Sequence, residues 1–176
     1  MYMEELVVLV DEHNNVLGTT PKATVHTKET KLHRGFSLFV FNSKGELLVT
    51  QRALSKKTFP GVWSNTVCGH PGPDELPKDA CVRRLKEELG MNVTGVEHVT
   101  DYRYTFSDKS GIVENEICPV FWGMSNDIPH TNPDEIEGLR WVLWEEFLND
   151  IQLNPDIYSP WCREEALYVV KSFHLN

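Results

Sequence analysis

Apolar residues along this chain follow two rhythms. One is a period of two, or a short unbroken run, which marks strands; the other is a spacing of three to four, which marks helices. Residues 5–10, apolar from Leu6 to Val10 and closed by the turn-rich Asp11-Glu12-His13-Asn14-Asn15, read as a strand. Phe36–Phe41 and residues 46–51 flank Asn42-Ser43-Lys44-Gly45, a hairpin pattern. Residues 99–106 alternate, with Tyr102, Tyr104 and Phe106 on one face. After the turn Ser107-Asp108-Lys109-Ser110-Gly111, residues 112–121 read as another strand, and residues 139–143 as one more.

Helices are fewer. Pro77–Leu89 carries Pro in its first turn, Asp79 near its positive end and Gly90 as its stop. Ser159-Pro160 opens a second helix that runs to about residue 173, with Ser159 as the N-cap, and a short third helix starts near Trp144. Strands dominate the middle of the chain and helices lie between or after them, which predicts an α+β or mixed α/β fold and excludes a bundle. No repeat, low-complexity tract or long linker divides the sequence, so residues 1–176 are expected to form a single domain.

Composition narrows the function classes. The chain has 17 Lys and Arg against 26 Asp and Glu, a formal net charge of −9. That balance lacks the basic footprint of a nucleic-acid binder and disfavours an anionic membrane surface. Hydrophobic residues make up 40% and aromatics 10%, which excludes disorder as a description of the whole. Cys68, Cys81, Cys118 and Cys162 form no CxxC pair and read as free thiols in a reducing compartment. The apolar run at Leu6–Val10 follows two glutamates and is too short for a signal peptide, and no stretch approaches the roughly 20 apolar residues of a membrane span. The expectation is a cytoplasmic protein, a monomer or weak homo-oligomer, with neither nucleic acid nor membrane as partner.

The helix at Pro77–Leu89 carries chemistry. At about 100° per residue, Cys81, Val82, Leu85 and Leu89 form the expected buried stripe, while Arg83, Lys86 and Glu87 point away from it. Glu88 lies roughly 20° from Cys81, with Arg84 beside it one turn earlier. A carboxylate there must be paired or bind a metal, because burying it alone is costly. An Arg84–Glu88 ion pair is the plain reading. Gly69, Glu75, Arg83, Leu85, Glu87, Glu88, Gly90 and Met91 also fit the pattern G-x5-E-x7-R-E-U-x-E-E-x-G-U, where U is apolar, at every specified position but one. This resembles the Nudix box, a loop–helix–loop whose carboxylates hold a divalent cation on a diphosphate. The departure is Arg84, where the box has a glutamate; a cation there suits a substrate phosphate better than hydrolysis.

A second set has metal-ligand composition. Glu114 and Glu116 share one face of a strand and repel unless something positive lies between them. With His26, His33 and His70 they would make an N3O2 set suited to Mn²⁺, Zn²⁺ or Fe²⁺, although each histidine alone reads as an ordinary hydrogen-bonded side chain. Cys68, flanked by Val67 and Gly69 and two residues from His70, is either a reactive thiol or a buried structural cysteine.

From about Leu6 to Trp161 the chain resembles the type I isopentenyl-diphosphate isomerases of the Nudix superfamily. The resemblance is carried by His26 with Leu32-His33, Arg52-Ala53-Leu54-Ser55-Lys56-Lys57, Pro60-Gly61-Val62-Trp63 and Val67-Cys68-Gly69-His70-Pro71. Tyr102-Arg103-Tyr104, Ser110-Gly111-Ile112-Val113-Glu114-Asn115-Glu116 and Ser159-Pro160-Trp161 continue it in the family's order. It implies a mixed central sheet flanked by helices and a small prenyl diphosphate as substrate. It implies that His26, His33, His70, Glu114 and Glu116 bind one divalent metal, Mn²⁺ or Zn²⁺. Glu88 would help to hold a diphosphate-bridging Mg²⁺ together with the Cys68 main-chain carbonyl. Lys22, Arg52, Lys56 and Arg84 match the diphosphate-binding cations. Cys68 and Glu116 match the acid–base pair, with either as the acid, Tyr104 lies near the reacting carbons and Trp161 over them. After Trp161 the match fades, and the C-terminal helix carries no expected role beyond packing.

Two other readings compete with an isomerase: a Nudix hydrolase on a nucleoside or prenyl diphosphate, and an inactive Nudix domain serving as a binding module. Arg84 counts against the first; Cys68, Tyr104, Glu114 and Glu116 together count against the second.

Overall fold

A computed structural model describes residues 5–173, the side chains of residues 171–173 excepted; the remaining residues of the expected single domain, 1–4 and 174–176, lie outside the described residues. In chain order the elements are β1 (Leu6–Val10), β2 (Val16–Pro21), α1 (Lys22–Val25), β3 (His33–Arg34), β4 (Phe36–Phe41) and β5 (Glu46–Arg52). Then come β6 (Trp63–Ser64), β7 (Val67–Gly69), α2 (Pro77–Leu89), β8 (Thr94–Ser107), β9 (Val113–Met124), β10 (Ile136–Leu143), α3 (Trp144–Leu153) and α4 (Pro160–Phe173). The strands join one mixed sheet in the order β10-β5-β4-β9-β3-β1-β2, with β6 on β5, β7 on β4 and β8 on β9. β9 runs parallel to both β3 and β4, and the other pairings are antiparallel.

The alternation of β4 builds two cores. Phe36, Leu38 and Val40 face α2, packing with Cys81, Leu85 and Leu89, while Phe39 and Phe41 face α3 and α4, packing with Phe147, Ile151, Cys162 and Val169. The result is a sheet between helical layers, the α+β architecture expected. Among the described residues no helix is long and apolar enough to cross a membrane.

The helix and strand boundaries differ from expectation where local chemistry gave no period. β2 is a polar edge strand paired only with β1, carrying Gly18 and ending in Pro21. α1, β3, β6 and β7 span four residues or fewer, too few to show a rhythm. β8 begins at Thr94, well before the alternation at residue 99, because its register against β9 shifts between Thr94 and Glu97 and again between His98 and Thr100. α2 matches expectation, with Gly90 left-handed at φ 65° and its N–H donating to Lys86 O at 3.0 Å. Val82 is the correction: it is exposed, and the buried face of α2 is Ala80, Cys81, Arg84, Leu85, Glu88 and Leu89. Burial of the Arg84–Glu88 pair turns that face away from Val82. α4 starts as expected, with Ser159 Oγ accepting from the Cys162 backbone N–H at 3.4 Å.

Candidate active site

The structure brings every candidate residue of the sequence analysis to one region. A cavity of about 450 Å³ is lined by Cys68, Tyr104, Glu114, Glu116 and Trp161, by His26 and His70, and by Lys22, Arg52, Lys56, Arg84 and Glu88. His33 stands directly behind it, fully buried, on β3.

Strand register explains the convergence. His33 pairs with Glu116 across the parallel β3–β9 contact, and Ser37 pairs with Cys68 across β4–β7. The period of two on β9 then sets Glu114 on the face of Glu116. Ligand atoms of His26, His33, His70, Glu114 and Glu116 lie within 4.8 Å of one another, and all five side chains are buried. Three observations fit this set to a divalent cation. His33 Nδ1 lies 2.8 Å from the Lys31 carbonyl, which places its proton there and leaves Nε2 as a lone pair. His33 Nε2, His26 Nε2 and Glu114 Oε2 have no hydrogen-bond partner despite burial. His26 Nε2 and Glu114 Oε2 are 2.9 Å apart without hydrogen-bond geometry, as two acceptors directed at shared space would be.

Glu116 is the hub. Tyr104 donates to its Oε2 at 2.9 Å, and His70 Nε2 lies 3.0 Å from its Oε1. Burial alone would raise the Glu116 carboxyl, but His33 and His70 outweigh it and hold it well below its usual 4.5. Burial lowers His70, with Glu116 only partly opposing; at His33 the Glu116 carboxylate overcomes burial and raises the imidazole. Burial also pushes the Tyr104 phenol well above 10.

Gly35 was not singled out from the sequence, and it makes the hub possible. A Cβ at this position would stand 1.9 Å from Glu116 Oε2 and 2.6 Å from its Cδ, so the carboxylate occupies the space a side chain would take. Gly35 stands between β3 and β4, and a glycine set among strand residues is the signal that marks such close approach.

Cys68, across β4 from β9, is held differently. Its Sγ donates to Asn65 Oδ1 at 3.1 Å and lies 3.4 Å from Ser37 Oγ. Burial, reinforced by the Glu165 carboxyl, pushes the thiol up to about 12, so it is protonated near neutral pH. The Trp161 ring stacks on Tyr104 at 5.8 Å and meets Phe59 edge-on at 5.0 Å, which closes the apolar end of the cavity.

The opposite end is charged. Arg84 Nη2 contacts Glu88 Oε1 at 2.6 Å and Glu135 Oε1 at 3.3 Å; Lys56 pairs with Glu135; Lys22 Nζ contacts Glu5 at 2.9 Å. Arg52 donates to the Thr58 carbonyl at 2.9 Å, with its guanidinium 5.9 Å from the Trp161 ring centre. Burial pushes the Glu88 carboxyl above its usual value, opposed by Arg84 and aided by Glu135. Glu5, Glu135 and Thr58, which hydrogen-bonds Glu114, line this cavity without having shown any pattern in the sequence.

Comparison with known proteins agrees with this geometry. A family model described as NUDIX domain matches residues 31–162. A protein of Saccharopolyspora erythraea named Isopentenyl-diphosphate Delta-isomerase is 45% identical over 168 residues, covering 95% of this chain and 87% of the relative. One of the same name from Corynebacterium glutamicum is 49% identical over 163 residues, covering 89% and 86%. Among solved structures, DR0079 from Deinococcus radiodurans superposes with a TM-score of 0.72 at 23% identity, covering 92% of this chain and 97% of that one. A MutT NUDIX hydrolase from Burkholderia pseudomallei gives 0.63 at 20% identity, covering 79% and 98%; at such identities the likeness speaks for the fold alone. The chain belongs to the Nudix family, in its branch of isopentenyl-diphosphate Delta-isomerases.

Proposed function

We propose that this chain interconverts isopentenyl and dimethylallyl diphosphate by adding a proton at C4 and removing one at C2. The observation that carries the reading is one cavity with a protonated thiol, a carboxylate–phenol pair and an aromatic wall at one end, and four cations at the other. The alkene is unactivated, so the reaction passes through a tertiary carbocation that water would trap. Buried acid and base groups on strands either side of β4 suit that need. In the protein without metal, Cys68 is the protonated member and Glu116 the ionised one. Tyr104 orients Glu116 and can share its proton. Trp161 offers its π face to the cation, worth about 2 kcal/mol when desolvated.

Lys22, Arg52, Lys56 and Arg84 would bind the diphosphate. His26, His33, His70, Glu114 and Glu116 would hold one divalent metal, Mn²⁺ or Zn²⁺, and Glu88 with the Cys68 carbonyl would hold Mg²⁺. Bound there, the metals supply positive charge that fixes Glu116 and screens the diphosphate. The same reading treats the whole chain as one catalytic domain, since both cores share a sheet.

The test is isopentenyl diphosphate incubated with protein, Mg²⁺ and Mn²⁺ in D2O and followed by NMR. Deuterated dimethylallyl diphosphate is the expected product. Phosphate release without isomer would mark a hydrolase instead, and no turnover a binding module.

A further inference from the structure

Glu165, on α4 beyond the residues matched to the Nudix model, is a fully buried carboxyl that the mechanism above leaves unused. Its Oε1 lies 2.9 Å from Ser37 Oγ and 3.7 Å from Cys118 Sγ, while its Oε2 has no partner. Ser37 Oγ in turn lies 3.4 Å from Cys68 Sγ and 3.5 Å from Cys118 Sγ. These groups share the α4 face of the sheet, on β4, β7 and β9.

Counting protons orients the chain. The groups that act most strongly on Glu165 are the Ser37 hydroxyl, the Cys118 thiol and, at longer range, the Glu116 and Glu164 carboxylates; none of these is cationic. An ionised carboxylate there would be buried without compensation, so Glu165 keeps its proton. Burial accordingly pushes it far above its usual value. With its proton on Oε1, a neutral Glu165 donates to Ser37 Oγ, the reverse of the bond an ionised carboxylate would accept, and Ser37's own proton is then free for Cys68 Sγ. The Cys68 proton goes to Asn65 Oδ1. The sulfur is thus gripped from two sides, and the charge it would carry after giving up a proton meets a ready donor.

We propose that Glu165, through Ser37, is a positioning residue for the Cys68 thiol: a buried chain from Glu165 to Ser37 to Cys68 delivers a hydrogen bond to the reactive sulfur. The proposal rests on the isomerase reading for its effect on turnover, and assigns the part of the C-terminal helix after Trp161 a role in the site beyond packing.

The test compares wild type, Cys68→Ala, Ser37→Ala, Glu165→Leu, Glu165→Gln and the Ser37→Ala/Glu165→Leu double variant in isopentenyl diphosphate turnover. Loss of a hydrogen bond to a developing charge should lower kcat about 10- to 100-fold in Ser37→Ala and Glu165→Leu. KM should stay within about twofold, because neither residue touches the diphosphate end. The double variant should be no worse than the worse single one. Glutamine, which like the neutral acid can donate to Ser37, should keep kcat within about threefold of wild type. A folded Glu165→Leu or Ser37→Ala with wild-type kcat, an additive double variant, or a Gln variant as damaged as Leu would overturn the proposal. Ser37→Ala, which removes a single oxygen, carries the test should Glu165→Leu not fold. The isomerase reading fails separately, by a wild type without turnover, and the acid–base role of Cys68 by a fully active Cys68→Ala. In that event the alkylation rate of Cys68, followed by peptide mass spectrometry, still decides: it should change at least about threefold in Ser37→Ala and Glu165→Leu but not in Gln, and unchanged rates would refute the chain.

Discussion

Gly35→Ala should disable the site while sparing the fold. The added Cβ would meet Glu116 Oε2 at 1.9 Å, and ordinary contact starts at 3.4 Å. Something must therefore retreat by about 1.5 Å, a displacement large on the scale of catalytic geometry. The strand cannot: Gly35 N–H donates to Ile117 O at 2.9 Å, His33 is in register with Glu116, and Phe36 is fully buried next door. Nor does the backbone object, since Gly35 is not among the residues with positive φ. The Glu116 carboxylate moves instead, and leaves Tyr104 at 2.9 Å and His70 at 3.0 Å without their partner.

A misplacement of about 1 Å at a reacting group costs on the order of 100-fold in rate, equivalent to about 2.7 kcal/mol of barrier. The expectation for Gly35→Ala is a kcat lowered on the order of 100-fold with KM little changed. Metal bound at the histidine–glutamate cluster should fall in parallel, measured by elemental analysis after dialysis, because Glu116 belongs to both. Thermal unfolding monitors the fold. Wild-type kcat together with wild-type metal content in the alanine variant would refute the argument that this glycine exists to admit the carboxylate.

Cys68→Ala and Glu116→Gln should each abolish turnover while circular dichroism stays that of the wild type; near-wild-type activity in either would remove that residue from the acid–base pair. Glu116 is held well below its usual 4.5, so the stability it contributes is full above that value and is lost as pH falls through its folded value. Urea unfolding of the metal-free protein should therefore show stability falling below about pH 4.5, and the fall should be shallower in Glu116→Gln; parallel curves would count against the assignment. Arg84→Ala leaves Glu88 buried without its guanidinium, and should cost about 3–5 kcal/mol in urea unfolding without metal. Saturating Mg²⁺ should recover part of that loss, and a cost below about 1 kcal/mol would mean that Glu88 neutralises itself by taking up a proton.

How much of this was legible depended on whether a residue's partner was local. α2 showed its start, stop and pairing, because Pro77, Gly90 and the i, i+4 spacing of Arg84 and Glu88 are all local. The equal-face placement of Glu114 and Glu116 was legible for the same reason. Their convergence with the histidines was not, since it depends on a parallel pairing between β3 and β9 that joins residues far apart in the chain. Resemblance supplied what periodicity could not. Gly35, Ser37 and Glu165 escaped both routes: each matters only through a neighbour on another element, and a glutamate on a C-terminal helix looks like a solvated charge until the sheet is laid against it. Val82 failed for the complementary reason, because a wheel that counts only apolar residues puts the buried sector in the wrong place when an ion pair is buried too.

A chain of net charge −9 can hold a diphosphate because its cations are balanced within the site before any ligand arrives. Lys22 rests on Glu5, Lys56 on Glu135, and Arg84 on Glu88 and Glu135. Left unpaired, so many positive groups around one cavity would repel each other, which the lowering of Lys56 by burial, with Arg52 and Lys22 adding to it, already expresses. On the proposed reading the exchange on binding is even-handed: phosphate oxygens replace carboxylates on the cations, and a divalent ion replaces Arg84 on Glu88. Affinity then depends on the difference between two well-paired states. Removing Glu135 should accordingly tighten, not weaken, the grip on a diphosphate, by freeing Lys56 and part of Arg84. Glu135→Gln, nearly the same size, is expected to lower KM, and a raised KM with unchanged kcat would show that Glu135 instead helps to hold the ligand.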